Sequence, residues 1–98
     1  MLAHLDGAVV GFACVAPALS NHSPDDPAPY AWLSELYVKE PFRGRGVGTA
    51  LMAEAEAFVR ARGAKEIRLA VLDRNDDARA VYRARGFRDY TRILTKPL

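Results

Sequence analysis

Residues 36–52 read Leu-Tyr-Val-Lys-Glu-Pro-Phe-Arg-Gly-Arg-Gly-Val-Gly-Thr-Ala-Leu-Met, and the local pattern changes partway along them. Up to Val38 the residues suit an extended strand. From Gly48 to about Arg62 a helix is predicted, with Leu51, Met52, Ala55, Phe58 and Val59 on one stripe. Between the two lies Arg43-Gly44-Arg45-Gly46-Val47-Gly48, a turn with three glycines spaced two apart. At such a strand-to-helix turn the first free N–H groups of the helix point outward at its positive end. Glycines leave no Cβ in the way, so an anion such as a pyrophosphate can approach the backbone. Arg43 and Arg45 add guanidinium groups suited to phosphate oxygens. The Lys-Ser/Thr pair of a nucleoside-triphosphatase loop is absent, because Thr49-Ala50 follows Gly48. The spacing also departs from the G-x-G-x-x-G of a dinucleotide-binding turn. A flexible turn with incidental arginines is the plain alternative.

Working downstream, Gly63 reads as a C-terminal glycine cap, and Ile67, Leu69 and Val71 alternate along a strand from Glu66 to Leu72. Asn75 reads as an N-cap, with Asp76 and Asp77 at the positive end of a second helix. That helix places Ala78, Val81 and Tyr82 on one face and ends at Gly86. Phe87 to Leu98 is predicted to form one long strand or two short ones.

Upstream, Ala31 to Val38 is a strand with Trp32, Leu36 and Val38 toward one face and Leu33, Glu35 and Tyr37 toward the other. Ser20 to Pro29, rich in Pro, Asp and Ser, reads as an exposed loop. Leu2–Leu5 and Ala8–Ala16 flank the hairpin signal Asp6-Gly7. The second of these strands has no polar face and is expected to be buried on both sides. The order is strand, strand, strand, helix, strand, helix, strand. This is an α/β (α+β) fold with one mixed central sheet, a right-handed crossover and a single domain over residues 1–98.

Half of the 98 residues are hydrophobic and 27% are charged, the balance of a globular protein. The apolar run from Ala8 to Leu19 is interrupted by Gly11 and Pro17 and is too short for a bilayer span; no positive region precedes it as in a secretory signal. Cys14 is the single cysteine, so neither an intramolecular disulfide nor a multi-cysteine metal site is expected, and the default setting is a reducing cytoplasm. Residues 1–38 carry four acids and no Lys or Arg, whereas residues 39–98 carry 14 basic and eight acidic residues, a net +6. A positive field there favours an anionic ligand, although solvated helix faces account for such charge equally well.

The spacing Arg43-x-x-Gly46-x-Gly48, after Leu36-Tyr37-Val38 and before an amphipathic helix, resembles the coenzyme-A motif of the GNAT N-acetyltransferases. A second block, Asn75, Ala78, Ala80, Val81-Tyr82 and Gly86-Phe87, is similar to that family's later helix and strand entry. The resemblance implies acetyl-CoA as donor, an amine acceptor, and direct transfer in a ternary complex. It implies that the backbone of Gly44, Arg45, Gly46, Val47 and Gly48, continuing to Thr49, binds the pyrophosphate with support from the Arg43 and Arg45 side chains. The strand edge at Leu36 and Val38 would pair with the pantetheine arm, and Asn75 would hydrogen-bond the same arm. Tyr82 matches the acid that protonates the departing thiolate, and the Val38 N–H is the expected oxyanion donor. Glu35 is the candidate base, directly or through a water chain. Each residue also has a plain reading: Tyr82 as a core aromatic, Glu35 as a strand-edge residue paired with an arginine.

Cys14 is read as a buried strand cysteine, inert for that reason, and not as an acyl carrier. His4 and His22 are too isolated for a metal site, and Trp32 and Tyr37 are read as packing residues, Tyr37 with the option of lining the cleft. Relative to the family, the chain begins at the second strand. The acceptor side therefore stays open, and a homodimer, by strand exchange or by a second copy supplying that side, is one expected solution. A non-catalytic acyl-CoA-binding module is the competing expectation. No membrane partner is expected, and neither is a nucleic-acid partner, since no recognition helix or aromatic-basic platform is present.

Overall fold

Gly11 sits where three elements meet. A Cβ on it would come within 2.6 Å of the Tyr37 carbonyl oxygen and 3.3 Å of both Val38 Cα and Leu51 Cδ1. Around this contact the computed structural model, which describes residues 1–5, 7–19 and 29–98, forms a sheet and two helices. The elements in chain order are β1 (Leu2–Leu5), β2 (Ala8–Leu19), β3 (Tyr30–Val38), a 3₁₀ turn (Glu40–Phe42), α1 (Val47–Ala61), β4 (Glu66–Arg68) and α2 (Asp76–Ala84). The sheet order is β1-β2-β3-β4; β1–β2 and β2–β3 are antiparallel, and β3–β4 is parallel. The mixed sheet expected from the sequence is thus present.

Helix α1 links the parallel pair and lies on one face of the sheet. Its buried stripe is Leu51, Met52, Ala55 and Val59. Ala13, Ala31 and Ala55 are completely buried, and these small side chains let the helix approach the strands closely. Leu51 and Met52 are the largest fully buried helix residues, each contributing about 1.5–3 kcal/mol from burial. The helix ends in a Schellman cap. Gly63, at φ +92°, donates to the Arg60 carbonyl and Ala64 donates to that of Val59, both at 3.1 Å.

Several expectations are corrected. In β3 an extra residue, Ser34, bulges between Leu33, opposite Val15, and Glu35, opposite Cys14. The side-chain alternation therefore reverses. Ala31 and Leu33 face α1 before the bulge and Leu36 and Val38 face it afterwards, leaving Trp32, Glu35 and Tyr37 on the outer face. Ser34 Oγ pins the bulge by donating to the Cys14 carbonyl at 3.1 Å. Strand β2 is not buried on both sides, because Cys14 is exposed and only the side bearing Ala13 is covered. Strand β4 ends at Arg68 rather than Leu72, and Phe87–Leu98 contains no strand. Its residues have strand propensity, but a ladder also needs a partner edge, and none is engaged. Asp6 of the hairpin signal and most of the Ser20–Pro29 loop, His22 included, lie outside the described residues. Among those described, no helix is long and apolar enough to cross a membrane.

Gly11→Ala is expected to lower stability by about 1–3 kcal/mol, because the methyl group meets backbone rather than a movable side chain. Urea unfolding should show a lower midpoint with an unchanged slope.

Candidate functional site

The parallel pairing of β3 with β4 covers only Tyr30–Trp32 opposite Glu66–Arg68. It stops just before the bulge, so past Trp32 the edge of β3 has no strand beside it. Which backbone groups face this opening follows from the antiparallel alternation. The Lys39 N–H donates to the Val10 carbonyl at 2.8 Å, so Lys39 and Tyr37 turn toward β2. Val38 and Leu36 then turn their N–H and C=O groups to the open side. The Val38 carbonyl confirms this by accepting from Arg43 Nε at 2.8 Å.

Directly beyond this edge the chain enters the glycine-rich turn. Gly44 (φ +76°) and Gly46 (φ +81°) occupy the left-handed region, where a side chain would be strained. Gly46 is the N-cap of α1 and supplies no side-chain cap; the helical bond from the cap carbonyl runs from Ala50 N–H to Gly46 O at 3.0 Å. The N–H groups of Val47, Gly48 and Thr49 therefore have no intrahelical acceptor and lie at the positive helix end. Gly48 lies beside Val38, so this helix end abuts the open strand edge. Arg43 and Arg45 flank the turn, 5.7 Å above the Tyr37 and Phe42 rings respectively. The Arg43 Nε is committed to the strand, and its terminal nitrogens make no hydrogen bond with described residues.

Helix α2 follows β4 and reaches the core through Tyr82. Asn75 caps it, its Oδ1 accepting from Ala78 N–H at 3.2 Å, with Asp76 and Asp77 in the first turn. The predicted cap is therefore formed, and only the Nδ2 end of Asn75 remains for a ligand. Tyr82 packs half-buried against the cluster of Ala13, Leu33, Leu51 and Met52. The sequence Tyr-x-x-x-Gly-Phe has a local cause. Gly86, at φ +97°, closes a second Schellman cap in which Phe87 N–H donates to the Tyr82 carbonyl at 3.0 Å. The apolar contact of that motif is the Phe87 ring meeting Tyr82 edge-on, centroids 5.6 Å apart. Burial pushes the Tyr82 phenol above its usual value near 10, so the hydroxyl is protonated at neutral pH.

Glu35 is exposed, opposite Cys14 on the outer face, and makes no ion pair among the described residues. The arginine partner of its plain reading is therefore not found. Trp32 and Tyr37 are about 40% exposed on that face and are not core residues. Ser34 was not singled out from the sequence. The signal was present in Leu33 and Leu36, which stand three apart and cannot share one face at a period of two without a bulge. Among the described residues no group of three His, Cys, Asp or Glu could hold a metal.

Asn75→Ala should cost about 1 kcal/mol of stability through loss of the cap. Asn75→Asp should retain most of it, both read by thermal denaturation.

A sequence profile described as the acetyltransferase (GNAT) family matches residues 1–87. Aminoglycoside N(6')-acetyltransferase type 1 of Stenotrophomonas maltophilia is 33% identical over 89 residues, covering 91% of this chain and 58% of that protein. Thialysine N-epsilon-acetyltransferase of Bos taurus is 37% identical over 60 residues, 61% of this chain and 35% of that one. The chain thus spans about a third to somewhat over half of these relatives. Among solved structures, aminoglycoside N-acetyltransferase AAC(6')-Iy in complex with CoA superposes with a TM-score of 0.83 at 26% identity, covering 99% of this chain and 72% of that one. The same enzyme with a CoA bisubstrate analogue gives a TM-score of 0.84, covering 99% and 66%. With a profile match over most of its length and a site built where that fold opens, the chain belongs to the GNAT acetyltransferase family.

Proposed function

We propose that residues 1–98 act as one unit that binds acetyl-CoA and transfers its acetyl group to an amine. The observation that carries this reading is the junction of an open strand edge with an uncapped, glycine-rich helix end. An elongated ligand with an amide-bearing arm and an anionic pyrophosphate matches both halves. In this reading the backbone N–H groups from Gly44 to Thr49 hold the pyrophosphate, with Arg43 and Arg45 beside them. Leu36 and Val38 pair with the arm as an added strand would, and Asn75 Nδ2 donates to it from the opposite side. The complex of AAC(6')-Iy with CoA, the carrier part of this donor, supports the assignment.

For the chemistry, the neutral amine attacks the thioester carbonyl, and the tetrahedral oxygen accepts a hydrogen bond from the Val38 N–H. As the C–S bond breaks, the Tyr82 hydroxyl gives its proton to the thiolate. Its burial keeps that proton in place at neutral pH. Glu35, directly or through a water chain, takes the proton lost by the amine. The acceptor is a small-molecule or peptide amine. A cytoplasmic setting completes the reading. The alternative, a non-catalytic acyl-CoA-binding module, is favoured by one feature: the outer face with Trp32, Glu35 and Tyr37 is uncovered among the described residues.

Release of CoA thiol with a panel of amines separates the two. Turnover is expected, with Tyr82→Phe lowering kcat at least about tenfold at a similar KM for acetyl-CoA. Tight acetyl-CoA binding with no turnover on any amine would establish the module instead. Because the folded phenol titrates above its ordinary value, Tyr82 stays active as an acid up to pH near 10, and its contribution falls only above that. An alkaline limb near pH 8 that disappears in Tyr82→Phe would contradict this assignment. Gly46→Ala should weaken acetyl-CoA binding about tenfold, roughly 1.4 kcal/mol, measured by calorimetry.

A further inference from the structure

Helix α2 carries Arg79 and Arg83, and Arg85 caps its end. The first two are spent on neighbours in sequence. Arg79 Nη1 lies 3.8 Å from Asp76 Oδ1, and Arg83 Nη2 donates to both carboxylate oxygens of Asp89 at 3.1 Å. Arg85 instead reaches across 29 positions of chain, its Nη2 donating to Glu56 Oε2 on α1 at 3.0 Å. Among the described residues, no other side-chain hydrogen bond or ion pair joins the two helices.

This pair is poorly suited to a role in stability alone. The Glu56 and Arg85 side chains are 24% and 29% exposed, against 68% and 53% for Asp89 and Arg83, so both charges are partly desolvated. Arg85 Nε is buried and finds no acceptor among the described residues. Desolvation and the unused donor offset much of the attraction, whereas the direction of the contact stays fixed.

Its place relative to Tyr82 gives that direction a use. Arg85 follows Tyr82 by three positions, and its backbone N–H donates to the Tyr82 carbonyl at 3.0 Å. Tyr82 and Phe87 pack on the cluster that contains Leu51 and Met52 of α1, and Glu56 stands one turn beyond Met52. Helix α2 fully buries no residue of its own. Its C-terminal end is therefore seated by apolar contacts at Tyr82 and Phe87 and by the ionic contact at Arg85. Apolar burial is non-directional, so it sets how deeply the Tyr82 ring sits and leaves the rotation of the helix to the ion pair.

We propose that Arg85, held by Glu56, is a positioning residue that fixes the rotation of α2 and thereby where the Tyr82 hydroxyl points relative to α1. The proposal rests on the reading of Tyr82 as the acid of acetyl transfer. Because α1 starts at the glycine turn, the pair ties the group that protonates the thiolate to the helix whose start holds the pyrophosphate. The phosphate contacts belong to α1 itself, so acetyl-CoA binding depends little on the pair.

The test compares Arg85→Met, which keeps the aliphatic stem, with Arg85→Lys, which keeps the charge. Arg85→Met is expected to lower kcat about fivefold, with the Kd for acetyl-CoA within about twofold of the parent by calorimetry. Arg85→Lys should restore most of kcat, and Glu56→Met should reproduce the loss from the other helix. In a Tyr82→Phe background Arg85→Met should have no further effect, because its influence passes through the hydroxyl. A second readout is independent of turnover. Nuclear Overhauser contacts between the Tyr82 ring and the methyl groups of the cluster should weaken in Arg85→Met and persist in Arg85→Lys, with circular dichroism unchanged. Unchanged kcat in both methionine variants, an equal loss with and without the Tyr82 hydroxyl, or unaltered ring contacts would overturn the proposal. A parent that binds acetyl-CoA and never turns it over contradicts the transfer reading alone, and the ring contacts then decide the positioning.

Discussion

One extra residue in β3 is the constraint on which the site depends. Ser34 makes the strand bulge against β2, and the parallel pairing with β4 stops just before it. Had β3 continued in register, Leu69 to Leu72 would pair with the edge that now stands open at Leu36 and Val38. The bulge also reverses the alternation, so Ala31 and Leu33 pack on α1 before it and Leu36 and Val38 after it. Burial is thus kept on both sides of the break while the backbone on one edge is released. The hydroxyl of Ser34, bonded to the Cys14 carbonyl, holds the extra residue in place.

The remaining parts are arranged around that opening by ordinary local chemistry. Gly11 lets β2 and α1 approach the Tyr37–Val38 backbone, and Gly44 and Gly46 adopt the left-handed turns that bring the helix end to the same place. Arg43 ties the turn to the strand through the Val38 carbonyl. Two Schellman caps finish the frame. The one at Gly63 starts the return to β4, and the one at Gly86 fixes Phe87 against Tyr82.

Features governed by neighbours in sequence were legible in the residues. The glycine turn, the stripe on α1, the Asn75 cap and both glycine stops depend on contacts within a few positions, and each was read at or near its place. What escaped depends on contacts between distant segments. The length of β4, the facing of Trp32 and Leu33, and the exposure of Cys14 are decided by what lies across the sheet. The final strand failed for the same reason, since Phe87–Leu98 has strand propensity whether or not an edge is available to it. Of the candidate site, the glycine turn and the Tyr82 cap were visible as motifs. The bulge was visible only as a break in period, and the double use of Arg43 left no trace in the sequence.

The central claim is that the released edge of β3 and the uncapped start of α1 form one continuous binding surface. Backbone amide NMR during titration with acetyl-CoA tests it most directly. The account predicts saturable shifts at Leu36, Val38 and Gly44 through Thr49 together, with the Asn75 side-chain amide moving in the same titration. Shifts at the glycine turn alone, with the β3 edge unmoved, would contradict it.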